Sequence, residues 1–102
     1  RLQQAQDQAR KLQAERDDMA ATLKQQSLEL DNEITELDRK IEKAAAKDKA
    51  RWQDRRKRLT GYRDELNADL KRVGADMKDG WTDFKNTTAA KMEKIAADLK
   101  QE

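Results

Sequence analysis

Histidine, cysteine and proline are all absent from this chain, and serine occurs only once, at Ser27. Without histidine or cysteine, neither a Ser-His nor a Cys-His nucleophile can be assembled, and the usual ligands of a zinc site are missing. The Glu-x-x-His repeat of di-iron bundles is excluded for the same reason. No disulfide can form, so cysteine usage is silent on redox compartment. Glycine is scarce, at three residues, and no Gly-rich phosphate loop is present. No apolar run exceeds three residues, which rules out both a membrane-spanning helix and the core of a signal peptide. The sequence starts at Arg1 rather than methionine, as expected of a fragment, a trimmed chain or a processed form.

What is present is charge. Of 102 residues, 43% are charged and 35% hydrophobic, with aromatics at only 4%. Such a mixture gives either disorder or a long helix with a narrow apolar seam. Periodicity decides for the helix. Stepping by three or four from Leu2 through Leu12, Met19, Leu23, Leu30, Ile34 and Leu37 reaches Trp52, Leu59, Leu66, Val73, Trp81, Phe84, Ile95 and Leu99. Of the hydrophobic residues larger than alanine, only Leu28 stands off this line. The polar residues Arg16, Gln26, Asp48, Arg55 and Thr88 fall on it too. The mean step is about 3.6, the value of a straight helix, so little supercoiling is expected. One seam of this width suits two helices side by side, whereas a three-helix bundle usually asks for a broader face.

The chain reads as a single elongated all-α domain over 1–102, an antiparallel helical hairpin resembling a two-helix coiled coil. Its turn is expected near 44–50 and a kink near 74–80, between an arm at about 2–44 and another at about 50–101. Local propensity across Ala44–Ala50 favours continued helix. The charges favour a reversal. Residues 29–38 carry five acids and no base, and 47–58 carry seven bases against two acids. Folding back near Asp48 sets Arg58 beside Asp38 and Arg63 beside Glu33, and sets Met19 against Met77. An antiparallel dimer about the same point satisfies the same pairs. The alternative is one long helix to about 73 followed by a shorter one, in a dimer. Gly74 and Gly80 bracket the second break because glycine costs about 1 kcal/mol relative to alanine inside a helix.

The candidate interaction patch comprises Arg55, Arg56, Lys57 and Arg58, a cationic run able to hold phosphates, together with Trp81 and Phe84 as an aromatic docking pair. The competing assignment pairs the arginines with the acidic run and places the aromatics in the seam facing Leu12–Met19. Asn86-Thr87-Thr88 matches the N-glycosylation pattern. The carboxylates are interleaved with lysine and arginine along exposed faces, so no enzymatic, metal or cofactor site is expected.

Several segments together resemble small bacterial coiled-coil proteins of the stress-response type. These are the acidic repeat Leu30–Ile41, the Ala/Lys connector Ala44–Ala50, Trp52, Arg63-Asp64-Glu65-Leu66 and Gly80-Trp81-Thr82-Asp83-Phe84-Lys85. The resemblance covers about residues 28–90 and implies a stress- or envelope-related protein with no known reaction. The expected function is a non-enzymatic helical structural or protein-interaction module, acting through a protein partner or self-association. The alternative is an amphipathic, apolipoprotein-like binder of membrane surfaces. A nucleic acid is not expected, and the compartment is not read from the sequence beyond the pair cytoplasmic or periplasmic.

Overall fold

The computed structural model describes residues 2–74 and 79–101. The protein is all-helical, with α1 spanning Leu2–Lys43, α2 Ala46–Gly74 and α3 Trp81–Lys100. α1 ends where the seam is thinnest. Ala44 donates to the Ile41 carbonyl at 3.4 Å in a tightened last turn, and Lys49 N–H reaches Ala45 O at 2.9 Å to open α2. Every residue there but Asp48 tolerates helix, so the break is imposed by packing: doubling back buries two stripes against one another. Small alanines at the bend let the chain reverse closely. Lys40 and Lys43 in the last turn of α1, and Asp48 in the first turn of α2, suit the helix dipoles.

α1 and α2 therefore lie antiparallel, and the long single helix to about 73 is not what the chain adopts. Three side-chain contacts fix the register: Asp38 with Arg56, Asp31 with Arg63 at 3.3 Å, and Ser27 with Asn67 at 3.1 Å. Residue i of α1 thus faces roughly residue 94 − i of α2. That is an offset of two from the expected register, so the point about which the two helices mirror moves from residue 48 to residue 47, with the helix break itself at Ala44–Ala45. Arg63 accordingly takes Asp31, not Glu33.

α3 returns along the pair. Asp69 of α2 meets Lys91 of α3 at 2.9 Å and Tyr62 meets Asp98 at 2.8 Å, so α3 runs antiparallel to α2. Trp81 bonds Glu15 at 3.0 Å and Gln26 bonds the Met92 carbonyl at 2.9 Å, so α3 runs parallel to α1. Among the described residues there are therefore three helices rather than two arms. Most of the expected kink, and Met77 with it, falls on residues 75–78, outside the described residues. Beyond them Gly80 occupies the left-handed region (φ 80°), which an L-residue enters only under strain, and its carbonyl accepts Phe84 N–H at 2.9 Å as α3 starts.

The core is the seam. Leu23, Leu30, Leu37, Leu59, Leu66 and Ile95 are fully buried, with Met19, Ile34, Val73, Trp81 and Phe84 nearly so. The backbone of α3 stands farther from α1 and α2 than those two stand from each other. α3 adds Trp81, Phe84 and Ile95 to the core, and polar side chains of α1 and α2 bond to it alongside them. The molecule measures 66 × 20 × 18 Å, close to the roughly 63 Å that 42 residues of α-helix span.

Candidate interaction surfaces

Asp98, near the end of α3, joins three side chains of α2. Arg58 Nε donates to it at 2.8 Å, the Tyr62 hydroxyl donates at 2.8 Å, and Arg55 Nη1 lies 3.5 Å away. Arg55 also donates to the Asp98 carbonyl at 3.4 Å. Burial acts to raise the Asp98 carboxyl, but the Arg58 and Tyr62 hydrogen bonds and the two arginine charges outweigh it and hold the group below the usual range. The same contacts raise Arg58 and Tyr62 above their ordinary values, the hydrogen bond to Asp98 being the chief cause in each.

A second node ties the other end of α3 to α1. The Trp81 indole N–H donates to Glu15, and this bond chiefly lowers the Glu15 carboxyl, helped by Lys85 at 3.6 Å. Trp81 packs on Phe84 with ring centroids 5.9 Å apart, and Arg72 covers the Phe84 ring at 4.7 Å. Between the nodes, Asp69 is buried beneath Lys91, and Gln26 is buried with its amide bridging to α3.

These contacts locate the six candidate residues. Arg55 is buried on Asp98, Arg58 shares that carboxylate, and Arg56 pairs with Asp38. The expected Arg58–Asp38 pair does not form, because the register hands Asp38 to Arg56 and turns Arg58 towards α3. Lys57 is exposed and pairs with no carboxylate among the described residues. Trp81 and Phe84 are 5% and 6% exposed within the seam, Trp81 bonded to Glu15 of α1 and Phe84 beneath Arg72 of α2. They lie far from the arginines: Arg72, over Phe84, is about 25 Å along α2 from Arg55. The six therefore do not form one surface. Asn86 is exposed within α3, while Thr88 of the same tripeptide is 2% exposed.

Sequence reasoning missed Asp98, Asp69 and Ser27, which lie beside the seam: Ser27 is buried against Asn67 of α2, while Asp69 and Asp98 join α2 to α3. It did contain a partial signal: Gln26, Arg55 and Thr88 sit on the apolar line itself, and all three are buried.

At the bend, α1 and α2 project past the end of α3 as a two-helix tip. Trp52 is half-buried there, with Lys40 at 4.6 Å and Arg51 at 4.5 Å from its ring. An open groove beside it is lined by Asp38, Ile41, Gln53, Arg56, Lys57 and Thr60. Among the described residues no cluster is arranged to hold a metal ion, and no helix is long and apolar enough to cross a membrane. Compared with known protein families, curated proteins and solved structures, the chain matches none of them.

Proposed function

We propose that the protein is a non-enzymatic helical module, a rod that carries a structural or protein-interaction role. The observation that supports this reading most is the disposition of apolar surface. The seam is consumed inside the bundle, and Leu2 and Leu28 are the exposed large hydrophobic residues among those described. A side of such a rod offers charge and shape to a partner rather than a pocket to a substrate. The likeness to bacterial coiled-coil stress proteins points the same way and adds an envelope or stress setting to the proposal.

An apolipoprotein-like binder behaves differently, since it must release α3 and lay the opened seam on lipid. The test uses Trp52→Phe, which leaves Trp81 as the sole tryptophan. Titrated with neutral phosphatidylcholine vesicles, this protein should neither pellet with them nor change its Trp81 emission. Pelleting accompanied by a shift in Trp81 emission contradicts the module and establishes the opened form.

A further inference from the structure

We infer that the two-helix tip is an electrostatic docking surface for anionic phospholipid headgroups, engaged end-on while the bundle stays closed. The inference rests on the module reading above and names a partner for one end of the rod. Residues 39–58 hold ten lysines and arginines against three acids, while the rest of the chain is acidic on balance. Arginine accounts for half of these cations, and the fold has already committed it. Arg55 and Arg58 are bound to Asp98, Arg56 to Asp38, Arg39 to Glu36 and Arg51 to Asp48. Among the described residues, the cations of this stretch left without an ion pair are lysines: Lys43, Lys47, Lys49 and Lys57, all exposed, and Lys40 over Trp52. The functional residues of the basic stretch are thus the lysines about the bend rather than the arginine run.

Their arrangement selects the partner. Lys47 and Lys49 are about 200° apart around α2, so the free charges ring the end of the rod instead of lining one side of it. A plane of headgroups meets such an end from every direction, whereas a duplex offers phosphates to one side at a time. Lysine is a flexible point charge suited to a fluid anionic surface, and the two most exposed arginines of the tip, Arg39 and Arg51, each already have a nitrogen on a carboxylate. Trp52 has cations over its ring, which removes it as a stacking platform for a nucleic-acid base. No large apolar side chain at the tip is exposed to insert into lipid, so the attachment is electrostatic and salt-sensitive.

The experiment compares pelleting with pure phosphatidylcholine vesicles and with vesicles containing 30% phosphatidylglycerol, alongside a duplex DNA titration. The full chain should bind the anionic vesicles only, and lose binding at high salt. The variant Lys43→Gln/Lys47→Gln/Lys49→Gln should bind at least tenfold more weakly at an unchanged Tm, each lysine near such a surface contributing about a fivefold factor. An equally neutralised control, Lys11→Gln/Lys24→Gln/Lys94→Gln, should keep its binding. A dye at Ala46, should the triple variant lose its fold, must become shielded from aqueous iodide on anionic vesicles while a dye at Ala5 stays open. Equal loss in the control, an unshielded Ala46 dye, or tighter binding to duplex DNA overturns the inference. Absence of vesicle binding by a closed bundle removes the tip proposal alone, whereas a shift of Trp81 emission on neutral vesicles removes the module reading.

Discussion

Asp98 illustrates how much of this bundle hangs on single polar residues. Its carboxylate accepts from Arg58 and Tyr62 and faces the nearly buried Arg55, so removing its charge strands cations that the fold has partly desolvated. Asp98→Asn should therefore cost roughly 2–4 kcal/mol in urea unfolding at pH 7. The sign of the pH dependence follows from a folded carboxyl held below its ordinary value. Its contribution is complete above the unfolded pKa of about 3.9 and is lost as pH falls through the lower folded one. The stability gap between wild type and Asp98→Asn should accordingly narrow below about pH 4; a constant gap would show that the charge is not what matters. Glycines give a second contrast. Gly61 lies within α2 with open space about it, so Gly61→Ala should stabilise by about 0.5–1 kcal/mol. Gly80 also has space, but its φ of +80° should make Gly80→Ala destabilising by about 1–2 kcal/mol. Thermal melts of the two variants should move in opposite directions.

At the scale of elements, the bend between α1 and α2 was legible in the charges but not in the propensities. Residues 29–38 and 47–58 attract across it, while Ala44–Ala50 by itself would continue the helix. The register was less legible, because two stripes of equal period match at several offsets, and the two-residue offset in pairing reassigned the ion pairs. The consequence can be measured. Arg56→Glu should weaken the fold by up to about 1 kcal/mol, as expected for a half-exposed pair, and Asp38→Lys should recover part of it. Added salt should shrink that coupling. The same rescue applied to Arg58→Glu should fail, since its partner is Asp98. Rescue of Arg58 rather than Arg56 by Asp38→Lys would place the register back at the later bend.

For the whole molecule, the sequence supports helix throughout and one seam, yet the bundle has three helices. A narrow apolar stripe argued for two because a third must be held on a second face. Beside the buried Trp81, Phe84 and Ile95, polar side chains hold α3: Arg55 and Tyr62 of α2 and Gln26 of α1, which lie on the stripe as polar members of it, and Asp69, which lies beside it where hydrophobic periodicity gives no signal. The return of α3 is therefore the claim on which the closed rod, the buried seam and the isolated tip all depend. The most direct measurement is the distance between spin labels at Lys24 and Ala90, both exposed, in protein shown to be monomeric. With α3 packed back beside α1, the two backbones should lie on the order of 10 Å apart, the spacing of neighbouring helices. If α2 instead continued outward as one straight arm, residue 90 would sit beside the first turn of α1, about 30 Å from Lys24 along the axis. The shorter distance is predicted, and the longer one in a monomer would contradict the three-helix rod.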